Sequence, residues 1–195
     1  MTFVNKCIVL GILFLSVHQT NAVRQQLNIE VYYESLCPDS ENFVSDLLPQ
    51  ARLYKDLLNV TFIPFGKAYS YGTKFRCQHG PRECRGNVIQ DCALHTMRFH
   101  TTIEKVEYVN CELRTRSSPN GNYECVRQAK LNANAVEHCA EGNLGYTLQK
   151  KSEKATFSVQ KPLVFVPTIT FNGMFTQRNQ NTAMRNLSKV LSEML

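Results

Sequence analysis

Leu27-Asn-Ile-Glu-Val-Tyr-Tyr33, continuing directly into Glu34-Ser-Leu-Cys-Pro-Asp-Ser40, is the stretch that decides the fold. Its first half is rich in β-branched and aromatic residues and reads as a central strand. Its second half delivers Cys37 and then Pro38, and proline suits the first helical position because the N–H it lacks has no intrahelical acceptor there. From Ser40 to Leu58 the residues Phe43, Leu47, Leu48, Ala51, Tyr54 and Leu58 recur at roughly helical spacing, with Pro49 as a kink or break. Val60-Thr-Phe-Ile-Pro-Phe65 reads as a second strand. A helix alone between two apolar strands implies parallel pairing through a crossover. Cys37 therefore sits where the central strand hands over to a helix.

Outward from this unit lies a cysteine-rich insertion, about 77 to 160. Ile89, Cys92, Thr96, Phe99, Ile103 and Val106 are spaced three and four apart, the stripe of an amphipathic helix. Val126, Ala129, Ala133, Val136 and Ala140 repeat it, and Arg116-Ser-Ser-Pro-Asn-Gly-Asn122 between them is a turn by composition. The insertion reads as a helical hairpin. If 125 to 139 is one helix, it spans about 21 Å. Cystine Cα atoms lie only about 4.4–6.8 Å apart, so Cys125 cannot pair with Cys139. The same reasoning excludes Cys92 with Cys111. Cys111 and Cys125 flank the turn and suit a clasp; the remaining pairings stay open. Beyond the insertion, Pro162-Leu-Val-Phe-Val166 and Thr168-Ile-Thr-Phe171 read as strands around Pro167, with Asn172-Gly173 as a hairpin turn. A helix from about Thr182 to the C-terminus, with Met184, Leu187 and Leu191 on one face, closes the chain.

The first residues read as an address. Lys6 is a positive n-region, Cys7 to Val17 an apolar h-region too short to span a bilayer, and Thr20-Asn21-Ala22 a small-residue cleavage site. Residues 1–22 are thus expected to be a cleaved signal peptide, and 23–195 one domain. Of eight cysteines, Cys7 leaves with the leader. An odd number remains in a secretory, oxidising route. Three bridges among Cys77, Cys84, Cys92, Cys111, Cys125 and Cys139, with Cys37 free, is the simplest count. Asn59-Val-Thr61 and Asn186-Leu-Ser188 are candidate glycan acceptors. The formal charge of +6 is scattered, with no basic run interleaved with aromatics, so a nucleic-acid surface is not expected. Cys77, His79, Cys84 and Cys92 lack zinc-module spacing, and no metal is expected there. No phosphate loop, carboxylate pair or Gly-x-Ser-x-Gly elbow is present.

The outline β-α-β, helical insertion, β-hairpin, α resembles a thioredoxin fold with an insert. Cys77-Gln-His-Gly-Pro-Arg-Glu-Cys-Arg-Gly-Asn-Val-Ile-Gln-Asp-Cys92 resembles the signature of the gamma-interferon-inducible lysosomal thiol reductase family, C-Q-H-G-x-x-E-C-x-x-N-x-x-x-x-C, at every specified position. Tyr32-Tyr-Glu-Ser-Leu-Cys-Pro38, Cys139-Ala-x-Gly142-x-x-Gly145, and Val166-Pro167 before Asn172-Gly173 agree with the same family. The resemblance implies an α/β, thioredoxin-like fold with a disulfide-rich helical insertion. It also implies a secreted or lysosomal enzyme that reduces protein disulfides, notably at acidic pH. It aligns Cys37 with the attacking thiol and makes Pro167 a cis-proline facing it. Pro38, Val166 and Thr168 would then border the docked substrate backbone. Ser40 departs from the family by replacing the resolving cysteine, and Thr168 stands where an aromatic residue is common.

These departures set the expected chemistry. A helix N-terminus favours a thiolate, Asp39 opposes it, and Ser40 is expected to donate a hydrogen bond to Cys37. Attack by Cys37 gives a mixed disulfide, which a serine oxygen cannot resolve. Turnover then needs an external small thiol or the substrate's own freed thiol, and no other cofactor. The expected partners are disulfide-bonded protein substrates and a protein or cell surface, without nucleic acid or a membrane span. The competing reading is a secreted binding glycoprotein of the same family whose catalysis is impaired.

Overall fold

The structure is a computed structural model that describes residues 25–195. The leader read over residues 1–22, with Lys6 and Cys7, lies outside the described residues. Strand β1 (Leu27–Tyr33) forms the middle of a three-stranded sheet. β2 (Leu58–Pro64) runs parallel to it, in register from Leu27 opposite Leu58 to Tyr33 opposite Pro64. β5 (Thr168–Phe171) runs antiparallel on its other side, Ile29 opposite Phe171 and Tyr32 opposite Thr168. Helix α1 (Pro38–Leu53) makes the crossover from β1 to β2. It passes through Pro49 without ending, and terminates at Tyr54 rather than reaching Leu58.

The period-two alternation of β1 divides the core. Ile29, Val31 and Tyr33 join Phe43, Val44 and Leu47 of α1, and Val106 and Val109, in the main cluster. Tyr32 points the other way, into a smaller cluster with Ile63, Cys37, Leu163 and Val166. Each fully buried aliphatic side chain in the main cluster contributes roughly 1.5–3 kcal/mol. Tyr33 keeps its hydroxyl satisfied by donating to Gln90 Oε1 at 2.6 Å.

The insertion is more divided than a hairpin of two helices. A short ribbon, β3 (Tyr69–Tyr71) with β4 (Lys74–Arg76), precedes five helices. They are α2 (Pro81–Thr96), α3 (Thr102–Thr115), α4 (Glu124–Gln128), α5 (Ala133–Glu141) and α6 (Asn143–Val159). The stripe read from Ile89 to Val106 is two helices joined by a 3-10 turn over Met97–Phe99, and Phe99 is 87% exposed. Thr101 and Glu104 explain the break: they form a reciprocal capping box that starts α3 afresh. The expected helix over 125 to 139 is likewise two. Lys130 takes a left-handed φ of 58°, and Asn132 caps α5 by accepting from Ala135 N–H.

Three disulfides staple these pieces: Cys77–Cys84, Cys92–Cys139 and Cys111–Cys125. Cys92–Cys139 closes a sequence separation of 47 between α2 and α5, about 4 kcal/mol in chain-entropy terms. Cys111–Cys125 joins α3 to α4 across the Arg116–Asn122 turn.

The C-terminal region also departs from its reading. Residues 162–166 form no strand; prolines at 162 and 167 remove ladder donors at both ends, and β5 alone fills the sheet edge. Asn172 and Gly173, both with positive φ, make the turn, but it leads only to a bridge between Phe171 and Met174. The closing helix is two, α7 (Gln177–Arg185) and α8 (Leu187–Met194), with Asn186 capping the second. Among the described residues no helix is long and apolar enough to cross a membrane.

Asp91 ties three elements together. Its carboxylate accepts from Ser152 Oγ at 2.9 Å and from Gln149 Nε2 at 2.6 Å, and Gln149 also donates to the Pro64 carbonyl at 3.1 Å. Burial pushes the Asp91 carboxyl up to about 7, against those hydrogen bonds. The folded state therefore holds this proton more tightly than the unfolded chain. The stabilisation is complete below the ordinary aspartate range and is lost as pH rises through about 7. Thermal unfolding is expected to shift downward between pH 5 and pH 8, with Asp91 accounting for up to about 2 kcal/mol. Asp91→Asn should flatten that slope in a melting series; an unchanged slope would remove Asp91 as its source.

Candidate redox site

Cys37 is the N-cap of α1, with φ −77° and ψ 122°, and Pro38 follows at the first helical position. It is the free cysteine among the described residues and is 8% exposed, flanked by exposed Pro38 and Asp39. Its N–H donates to the Glu34 carbonyl at 3.2 Å, and its carbonyl accepts from Glu41 N–H at 3.1 Å. Its Sγ donates to the Val166 carbonyl at 3.6 Å. The Val166–Pro167 peptide is cis. The structure thus brings together Cys37, Val166 and Pro167, which are 129 or more positions apart in the chain for the bonded pair.

Two sets of contacts fix the two sides of this site. The loop before Cys37 is held by α2: Ser35 N–H donates to Asn87 Oδ1 at 2.9 Å, and Ser35 Oγ donates to the Glu83 carbonyl at 3.0 Å. The approach is close because residue 86 is glycine; a Cβ there would fall 2.4 Å from Ser35 Oγ and 2.7 Å from Pro119 Cγ. Glu83, Gly86 and Asn87 belong to the 77–92 motif, so the motif's spacing acquires a physical meaning: one helix face grips the backbone two residues before Cys37. On the other side, the fully buried Gln180 of α7 donates to the Pro167 carbonyl at 2.9 Å and accepts from Ile169 N–H at 2.8 Å. Its carboxamide replaces the ladder partner that the proline loop lacks. Sequence reasoning missed Gln180; its only signal was a polar residue one turn ahead of Met184 on the inward face.

Asn87→Ala would leave the buried Ser35 N–H without an acceptor, at a cost of about 1–3 kcal/mol. The expected outcome is a lower melting temperature together with slower reaction of Cys37 with a thiol reagent or disulfide. A variant that is destabilised but reacts normally would show that the grip supports the fold without orienting Cys37.

Two other sequence-derived residues, Ser40 and Thr168, lie differently from their reading. Ser40 is fully buried, and its Oγ has no hydrogen-bond partner, so it does not donate to Cys37. Thr168 is also fully buried, its hydroxyl turned back onto the Phe165 carbonyl at 2.8 Å. Its side chain is turned into the protein and offers nothing to a docked chain, whereas Val164, two residues before Val166, is 69% exposed. Asn59 is exposed on β2, donating through Nδ2 to Asn28 Oδ1 at 2.8 Å. Asn186 is exposed between α7 and α8, with its Oδ1 occupied by the Lys189 N–H.

Beside the loop lie Glu34, Glu83 and His79. Burial, with the neighbouring Glu83 carboxylate, pushes the Glu34 carboxyl up to about 7, while the Lys67 N–H and His79 act against this. The arrangement around Cys37 is one that permits nucleophilic thiol chemistry against a backbone facing the Val166–Pro167 loop, with no second thiol in reach along α1.

Comparison with known proteins places the chain. The sequence profile described as gamma interferon inducible lysosomal thiol reductase (GILT) matches residues 28–143. GILT-like protein 1 of Drosophila melanogaster is 32% identical over 177 residues, covering 82% of this chain and 71% of that protein. The gamma-interferon-inducible lysosomal thiol reductase-like protein of Anopheles gambiae is 32% identical over 203 residues, covering 95% of this chain and 84% of that protein. Among solved structures, DsbA of Chlamydia trachomatis superposes with a TM-score of 0.57 at 15% identity, covering 87% of each chain. The DsbA oxidoreductase of Xylella fastidiosa gives 0.54 at 13% identity, covering 88% of each. The fold is thioredoxin-like, of mixed α/β class, with a disulfide-bonded helical insertion.

Proposed function

The chain belongs to the gamma-interferon-inducible lysosomal thiol reductase family of thiol–disulfide oxidoreductases, and we propose that it works through the single cysteine Cys37. The observation that carries the reading is the opposition of the Cys37 thiol, on a helix N-terminus, to the Val166 carbonyl of the cis-proline loop, with Ser40 where a second thiol would stand.

The steps follow from the residues present. The Cys37 thiolate attacks one sulfur of a protein disulfide, forming a mixed disulfide and releasing the other sulfur as a thiolate. The substrate backbone docks along Val166 and Pro167, with Pro38 at the rim. Ser40 cannot accept a disulfide bond, so release comes from outside. A small thiol attacks the Cys37 sulfur, freeing the substrate's second thiol and leaving Cys37 joined to the small thiol. A second small-thiol molecule then regenerates Cys37 and departs as the small disulfide. Two small thiols are oxidised for each substrate disulfide reduced. Alternatively a different thiol of the substrate attacks the substrate sulfur of the mixed disulfide, forming a rearranged disulfide and returning Cys37 as the thiolate, which is isomerisation and consumes no reductant.

The protein substrates, the route through the secretory pathway to lysosome or extracellular space, the glycans at Asn59 and Asn186, and a single domain over 23–195 complete the proposal. An external thiol is the only reagent it requires. The experiment is turnover of a disulfide-bonded protein in excess small thiol: a rate above that of the thiol alone supports the reading, and an equal rate overturns it. The enclosure of Cys37 and the serine at 40 favour one second reading, a family member retained for binding rather than exchange. Equal rates would select it.

A further inference from the structure

Outside the exchange site, three side chains from separate segments converge. Glu34 follows β1, His79 lies in the loop before α2, and Glu83 is in the first turn of α2. One donor atom from each lies within 4.8 Å of the others. The Glu34 and Glu83 side chains are 1% and 0% exposed, whereas His79 is 36% exposed, so the point they share opens to solvent past the imidazole.

Each glutamate is aimed by the backbone. Lys67 N–H donates to Glu34 Oε1 at 2.6 Å, and His79 N–H donates to Glu83 Oε1 at 3.0 Å. Both Oε2 atoms are left for the shared point. That of Glu83 meets His79 Nδ1, and that of Glu34, 3.5 Å from Nδ1, is buried with no hydrogen-bond partner. A buried carboxylate oxygen left without a partner is costly, and it points to a species that is electron-poor and fits between the three donors. The surroundings hold the geometry: the Cys77–Cys84 bridge closes the segment carrying His79. Gly66 clears the other side, where a Cβ would fall 2.2 Å from Glu34 Cγ.

We infer that Glu34, His79 and Glu83 form a binding site for a first-row divalent cation, with zinc the best match to one imidazole nitrogen, two carboxylate oxygens and a position left for water. This donor set suits zinc by ligand type and number, and ligands oriented by further hydrogen bonds are the mark of a built site. The cysteines that the sequence reading weighed as ligands take no part, because Cys77, Cys84 and Cys92 are paired. Since the Glu34 carbonyl accepts from Cys37 N–H, a bound cation would brace the root of the exchange loop.

The site does not depend on Cys37 chemistry, so the test uses the full secreted chain carrying Cys37→Ser, free of any affinity tag. Zinc is titrated calorimetrically near neutral pH. The expected result is saturable binding of one ion, weakened at least about tenfold by His79→Ala, a change at a partly exposed position that leaves the buried carboxylates in place. Cobalt supplies a second readout: visible bands without thiolate charge transfer are expected, and they should vanish in His79→Ala. No saturable binding to folded protein, an affinity indifferent to His79→Ala, or cobalt bands of thiolate type would each overturn the assignment. The first of these would leave the three groups sharing a proton instead.

Discussion

Replacing Cys37 by serine is expected to bring the reduction of a disulfide-bonded protein down to the rate of the small thiol alone, at both about pH 5 and about pH 7. The reason is chemical rather than structural. The backbone bonds of residue 37, from its N–H to the Glu34 carbonyl and from Glu41 N–H to its carbonyl, are untouched by the change, so the fold around residue 37 is retained. What disappears is the sulfur nucleophile. The remaining cysteines among the described residues are paired in three disulfides, so no second thiol takes over. The rate is followed by the appearance of substrate thiols, and circular dichroism of the variant confirms folding. A folded Cys37→Ser protein that reduces substrate as fast as wild type would refute the mechanism.

The second large effect runs in the opposite direction. Ser40→Cys is expected to raise turnover by about tenfold or more where small thiol suffices to reduce the resulting 37–40 disulfide, because release of the substrate becomes intramolecular. Residue 40 is three positions beyond the N-cap, the spacing at which side chains at a helix start become neighbours. The substitution is well tolerated in principle: Ser40 Oγ is buried and makes no hydrogen bond, so a sulfur there forfeits none, and it replaces an unsatisfied polar atom with a less polar one. The variant should show a disulfide between residues 37 and 40 when oxidised. If that disulfide forms but turnover does not rise, the limitation lies in docking, with the buried Thr168 the first place to look.

Much of the site was legible because it depends on order along the chain. A strand ending at Tyr33, Cys37 before Pro38, and a helix beyond are local facts, and their consequence, an N-cap cysteine, is local as well. The opposition of Cys37 to Val166 and Pro167 is not local. It came from resemblance, since nothing in the periodicity of 162–171 separates a proline loop from a strand. The insertion was misjudged for a related reason. A stripe of apolar residues at three and four continues smoothly across His100 and across Lys130, while the caps at Thr101 and Asn132 that break it lie on the polar face, where a hydrophobic pattern carries no information. The grip of Glu83, Gly86 and Asn87 on Ser35 was present in the sequence as a motif without a function. Its meaning needed the 2.9 Å and 3.0 Å bonds that only the folded chain displays. Gln180 was unreadable for the opposite reason, as a lone polar residue on the inward face of a helix.

The most direct test of single-cysteine exchange omits the small thiol. Reduced wild-type protein is mixed with a disulfide-bonded protein substrate, quenched by acid or alkylation, and analysed by intact mass and peptide mapping without reductant. Single-cysteine exchange predicts a covalent one-to-one adduct through Cys37 that persists, is discharged when small thiol is added, and does not persist in Ser40→Cys. Absence of any Cys37 adduct, or an adduct that discharges by itself with substrate fully reduced, would contradict it.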